Sequence, residues 1–313
     1  MSDAVRLRAP ASVANLGAGF DCVAAAVDLW NELEVRPGDG VEIEGEDADT
    51  LPRDDSHLGL QAFSLFSSTE GYGFRFVNRI PIGRGLGSSA TTIALGLYAG
   101  ALVTGADCTP EALLDLGVSL EGHADNLAAS LVGGVCAAWQ DDGQWRVRRL
   151  ARTLPFTLLE VVPAARMATE SSRHRLPDGL PHADASFAAA RALLLGAGLV
   201  SRDPSLVAKG FADRLHEPYR IADAPLLAEL RSDPPAGAVG VTLSGSGPSV
   251  TVWTDPRQAE RCVDDLRRRL PRAHVLRLDV ARSGIATRPL AAAVPRSYRA
   301  RTSRMARIDG AKK

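Results

Sequence analysis

Residues 81–90, Pro-Ile-Gly-Arg-Gly-Leu-Gly-Ser-Ser-Ala, constrain this chain more than any other stretch. Three glycines and two serines stand between a strand-like run (Phe74, Phe76, Val77) and a small-residue, helix-like run over 90–103. A glycine-rich turn that feeds a helix N-terminus offers unpaired backbone N–H groups at the positive end of the helix dipole. Such a turn suits a polyphosphate. The loop lacks the Lys-Ser/Thr ending of a Walker A sequence, so it is not an ordinary P-loop. Tight packing alone would also account for the glycines.

The 313 residues allow two domains, and a formal charge of −1 argues against a general nucleic-acid binder. No apolar run reaches membrane-spanning length; the best, 93–103, is broken by Gly96 and Gly100. Strand-like sequence begins by Val5, which leaves no room for a signal peptide. The four cysteines are scattered without metal-ligand spacing, as expected of reduced thiols in a cytoplasmic protein. The six histidines form no HExxH-like cluster, so no zinc site is expected.

Strands are predicted over 5–8, 25–36 (bent near Asp28), 41–44 and 73–79, and helices over 58–68, 88–103 and 110–120. Thr109-Pro110-Glu111 is a good helix start: a hydroxyl cap, a first-turn proline, then an acid facing the dipole. Strands over 134–140 and 145–150 flank an Asp-Asp-Gly turn. The second half reads as a strand over 156–162, helices over 185–199, 204–215 and 225–231, and strands over 239–243 and 249–253. A helix capped by Asp255 follows, its stripe formed by Ala259, Cys262, Val263, Leu266 and Leu270, and then a strand at Leu276, Leu278 and Val280. That order resembles a ferredoxin-like layout, with a boundary near 151–154. Arg296, Arg299, Arg301, Arg304, Arg307, Lys312 and Lys313 face only Asp309, as in a solvated, disordered tail.

Three more segments carry chemistry. Residues 9–21 place Asn15, two glycines and Asp21 in an expected loop after the first strand, as a self-satisfied turn or as a pocket wall for a polar or cationic substrate. Glu121-Gly-His123-Ala-Asp125-Asn126 is a polar stretch within apolar sequence. It reads as a solvated loop, or, beside bound polyphosphate, as a place where Glu121 ligates magnesium. Residues 243–249, Leu-Ser-Gly-Ser-Gly-Pro-Ser, link two strands and permit close backbone approach.

Together these segments resemble the GHMP kinase superfamily and, within it, the homoserine kinase family. That family shows Ala-Pro-x-Ser-x-Ala-Asn-x-Gly-x-Gly-Phe-Asp, matched at 9–21, and Pro-x-Gly-x-Gly-Leu-Gly-Ser-Ser, matched at 81–89. It also shows Glu-Gly-His-x-Asp-Asn, matched at 121–126, and Ser-Gly-Ser-Gly-Pro-Ser, matched at 244–249. Thr169 four residues before Arg173, and Glu217-Pro-Tyr-Arg220, match two further segments that mark homoserine kinases.

The resemblance implies an α+β, two-domain fold. An N-terminal mixed α/β nucleotide-binding domain (1–152) precedes a C-terminal ferredoxin-like βαββαβ domain (153–283) and a basic tail (284–313). It implies transfer of the ATP γ-phosphoryl group to the side-chain hydroxyl of L-homoserine, in threonine biosynthesis. Pro81, Ile82, Gly83, Arg84, Gly85, Leu86, Gly87, Ser88, Ser89 and Ala90 would cradle ATP, Arg84 adding positive charge, with Ser89 and Glu121 holding Mg2+. Arg173 and Arg220 would bind the amino-acid carboxylate, a role for which planar guanidinium forks are suited. Asp21 and His123 would receive the ammonium group, Asn15 and Asn126 would orient the hydroxyl, and Thr169 would support that region. The resemblance also implies a homodimer, with no nucleic-acid or membrane partner. Relatives often carry aspartate where Asn126 stands, so transfer without a carboxylate base is expected. His216 reads as incidental, and Asp125 as pointing away from the chemistry. Other kinases of the superfamily, such as a mevalonate-type enzyme, and a non-catalytic ligand sensor on the same fold are the alternatives.

Overall fold

The computed structural model describes residues 4–165 and 172–287. β1 (Val5–Asn15) and β2 (Gly19–Pro37) form a long antiparallel hairpin. The expected loop over 9–21 is therefore only the turn at 16–18. Residues 9–15 stay extended because Ala11, Ser12, Val13 and Ala14 pair with Val27, Ala26, Ala25 and Ala24, small side chains that let layers pack on both faces. The bend near Asp28 is a bulge. Pro10 pairs with Trp30 but Ala11 with Val27, which leaves Asp28 and Leu29 unmatched beside a proline that cannot donate.

The first sheet runs β11 (Ala286–Thr287), β1, β2, β4 (Tyr72–Asn78), β3 (Val41–Gly45). β5 (Val135–Asp141) pairs with the first half of β2, and β6 (Gln144–Ala151) pairs with β5. Helix Ser88–Thr104 is buried nearly all round, with Ile93 and Leu97 in one apolar cluster and Leu95 and Ala99 in another. Thr91 and Ser130 both donate to the Pro10 carbonyl (3.0 and 2.8 Å), pinning this helix and helix Asp125–Val132 to the bulge.

The second sheet has the order β10 (His274–Leu278), β7 (Thr157–Val162), β9 (Val250–Thr254), β8 (Ala238–Leu243), all antiparallel. This is the ferredoxin-like order. Helix Ala259–Arg269 lays Cys262, Val263 and Leu266 on it.

Three expectations change. The helix from Pro204 stops at Lys209, because Gly210 and Phe211 turn into the core under β1 and β2. Helix His182–Ser201 is long and apolar enough to cross a membrane by length and composition, against the expectation that no run reaches that length. Its Leu195 and Leu199 join the core with Val207, Phe211 and Trp253, while Leu193 and Val200 stand 73% and 65% exposed. The chain also returns to the first domain after β10. Asp279 exchanges hydrogen bonds with Asp28, Ala281 donates to Ala26, and β11 pairs with β1. The expected tail thus cannot begin at 284; residues 288–313 lie outside the described part.

Candidate active site

A single cleft opens between the two sheets, lined by the 81–89 loop, Asn15, Asp21, Glu121, His123, Asp125, Asn126, Arg173, Arg220, Gly245 and Ser246. Gly83, Gly85 and Gly87 all adopt left-handed backbone (φ 66°, 75° and 67°), the conformation that lets successive N–H groups converge on an anion. Gly87 caps helix Ser88–Thr104 without any side-chain cap bond, so the helix N-terminus faces the cleft. A Cβ on Gly85 would meet the Ser244 carbonyl oxygen at 2.1 Å, and one on Gly87 would meet Ser12 Oγ at 2.2 Å. The loop is thus pressed backbone to backbone on the 244–249 segment, where Ser244 Oγ donates to the Gly85 carbonyl (2.8 Å).

Glu121 ends helix Pro110–Glu121, Gly122 reverses the chain with φ 83°, and Asp125 and Asn126 open the next helix. This polar stretch is a buried corner, not a solvated loop. Ser89 Oγ donates to Glu121 Oε2 at 2.7 Å. Burial raises the Glu121 pKa, with His123 and Ser89 opposing. Burial also lowers that of His123, but the Asp125 hydrogen bond and the Asp125 and Glu121 charges outweigh it, so the net direction is upward. Asp125 Oδ1 takes both His123 Nδ1 (3.1 Å) and the Asn126 N–H (2.8 Å), while Asn126 Oδ1 accepts from Ser12 Oγ (2.8 Å).

On the opposite wall, Asp21 sits in left-handed backbone (φ 56°) and receives a bidentate pair from Arg173 (2.8 and 2.9 Å). Asn15 holds this corner. Its Oδ1 accepts from the Asp21 N–H (3.1 Å), and its Nδ2 donates to the Gly245 carbonyl (3.0 Å). Arg220 is 2% exposed, and among the described residues no carboxylate lies within ion-pair reach of it. Its neighbours are His216 Nδ1 (3.2 Å) and the Gly245 and Ser172 carbonyls (3.5 Å each). Among the described residues this buried guanidinium therefore has hydrogen-bond partners but no carboxylate in contact.

Comparison with known proteins agrees with this geometry. Residues 57–134 match the GHMP kinases N terminal domain. The homoserine kinase of Streptomyces coelicolor is 38% identical over 273 residues, covering 82% of this chain and 87% of that protein. The chain belongs to the homoserine kinase family. The homoserine kinase of Corynebacterium aurimucosum is 37% identical over 292 residues, covering 88% of this chain and 94% of its own. The crystal structure of homoserine kinase from Cytophaga hutchinsonii superposes with a TM-score of 0.80 at 28% identity, covering 92% and 98% of the two chains.

In this kinase the cleft gathers nearly every residue expected of it, with some changes of part. Ala90 is fully buried in the core beneath the loop, and Leu86 is a core anchor whose carbonyl accepts from the Ser12 N–H. Arg84 directs its donors to the carbonyls of Ile82, Pro163 and Ala164, tying the loop to the end of β7. Thr169 lies outside the described residues. Asp125, Ser12, Phe20 and His216 were missed: Asp125 lines the cleft, and His216 is fully buried against Arg220. Their only signal is adjacency to recognised segments, since contacts such as Ser12–Asn126 span 114 residues.

Proposed function

We propose that this kinase transfers the γ-phosphoryl group of ATP to the side-chain hydroxyl of L-homoserine, giving O-phospho-L-homoserine and ADP on the route to threonine. One observation carries the reading: a left-handed glycine cradle and the guanidinium groups of Arg173 and Arg220 line the same cleft.

The loop amides and the N-terminus of helix Ser88–Thr104 hold the phosphates. Ser89 and Glu121 fit a magnesium ion. Their oxygens are 2.7 Å apart, close to the ~2.9 Å edge of an octahedron with 2.0–2.1 Å bonds. Bound there, magnesium would neutralise charge developing on the phosphates. Homoserine is a zwitterion, and the Arg173–Asp21 pair offers a complement to each half of it. The ammonium group goes to Asp21, with His123 lining the same cleft, and the carboxylate to Arg173 and to Arg220, which has no carboxylate partner among the described residues.

Asn126, whose Oδ1 accepts from Ser12 and whose amide nitrogen lies 3.4 Å from Asp125 Oδ1, lines with Asn15 the part of the cleft that would receive the hydroxyl. Asp21, Glu121 and Asp125 are each engaged by neighbouring donors, which supports transfer by positioning and electrostatics without a dedicated base. We also place the kinase in the cytoplasm as a homodimer; its four free cysteines and the exposed Leu193 and Val200 support this. A coupled ADP-release assay with magnesium-ATP tests the main reading. Turnover with L-homoserine but not with mevalonate or galactose is expected, and preference for either alternative alcohol refutes it.

A further inference from the structure

Arg220 owes its place to a histidine. His216 precedes the short helix Glu217–Arg220 and is fully buried. A guanidinium only donates, so the 3.2 Å contact from Arg220 Nη1 makes His216 Nδ1 an acceptor without a hydrogen. The hydrogen then sits on Nε2 and is donated to the Gly17 carbonyl at 3.0 Å. Both ring nitrogens then have a partner, and Nε2 also lies 3.7 Å from Asp213 Oδ2. The ring stacks on Phe20 (4.9 Å between centroids, 21°), and Phe20 in turn lies under Arg220 (5.2 Å) and Arg173 (5.9 Å). Asp213 fixes the backbone beneath, accepting from the N–H groups of Leu215, His216 and Glu217 (2.8–2.9 Å).

Gly17 belongs to the turn that joins Asn15 to Asp21, in the first domain, and Arg220 belongs to the second. One imidazole therefore bridges the two. From this we infer that His216 is a positioning residue for the acceptor substrate: it orients the Arg220 fork and sets its distance from the Asp21 corner. Removing the Nδ1 acceptor leaves a buried guanidinium free to swing toward the Gly245 and Ser172 carbonyls, both already at 3.5 Å. The inference rests on the reading that Arg220 takes the homoserine carboxylate.

Steady-state kinetics on His216→Leu, His216→Asn and Arg220→Met, varying homoserine and ATP separately, test it. Leucine fills the space but accepts nothing; asparagine places an oxygen where Nδ1 stood. A hydrogen bond to a charged group sets the scale, so His216→Leu should raise the homoserine KM about 10- to 100-fold and leave the ATP KM within about twofold. His216→Asn should recover most of that loss. An unchanged homoserine KM in His216→Leu overturns the inference. So does a parallel rise in both KM values that asparagine does not relieve, because that marks a merely structural histidine. If the leucine variant does not fold, His216→Gln replaces it, reaching Gly17 but offering no acceptor at the Nδ1 position; equal homoserine KM values for the Gln and Asn variants then overturn the inference. Arg220→Met separates the two readings, since an unaltered homoserine KM in that variant removes the carboxylate assignment itself.

Discussion

Glu160 occupies β7 at the centre of the second sheet with no solvent exposure. Its Oε2 accepts from Thr251 Oγ1 at 2.8 Å, and its Oε1 has no hydrogen-bond partner among the described residues. Burial pushes its pKa up to about 7, against the smaller downward pull of the Thr251 and Ser244 hydroxyls. Because the folded value exceeds the ordinary 4.5, the unfolded chain releases this proton first. The group's contribution to stability is full below about pH 4.5 and falls as pH rises towards 7, above which the whole cost is felt. At about 1.4 kcal/mol per tenfold change in acidity, the gap amounts to a ceiling of about 3 kcal/mol. Glu160→Gln keeps the shape and stays neutral at every pH. The other ionisable groups are common to both proteins, so their effects cancel in the difference. Urea unfolding of both proteins should show the variant gaining stability relative to the parent across that window, then holding a plateau of up to about 3 kcal/mol at higher pH. A difference that stays flat from about pH 5 to 8 would refute the reasoning, since it would mean that the carboxyl finds solvent or a partner in the fold.

Gly85→Ala forces a Cβ to 2.1 Å from the Ser244 carbonyl at a left-handed φ, so the ATP KM should rise at least about tenfold, read from initial rates at saturating homoserine. Glu121→Gln should shift the magnesium requirement upward and lower kcat about 10²-fold, read from a magnesium titration at fixed ATP. Asp125→Asn should cost less than about tenfold in kcat, whereas a dedicated base would be worth about 10²–10⁴; a collapse of turnover with homoserine binding intact would overturn the base-free mechanism.

The parts of this protein readable from local sequence are those whose cause is local. The glycine turn over 81–90, the proline-started helix at Pro110 and the apolar stripe of the Ala259–Arg269 helix follow from φ preference and period and stand in the structure, although Thr109 makes no side-chain cap bond and its hydroxyl donates to Asp107. The 9–15 segment reads as loop because Pro10, its alanines and Asn15 carry little strand propensity; pairing with residues 24–31 overrides that. Asp125 and His216 look ordinary beside their neighbours in sequence. Their importance is conferred by Asn126, Gly17 and Arg220 in three dimensions.

A run of glycines ahead of a helix makes an anion cradle possible before any coordinate is known, because the left-handed backbone it needs is open to a residue without a Cβ. Which charges face that cradle is a different matter. Arg173 meets Asp21 across 152 residues, whereas Arg220 is left without any carboxylate among the described residues. Whether a buried charge is paired or left to receive a ligand depends on which distant side chains the packing brings within a few ångströms, and spacing along the chain carries no trace of that.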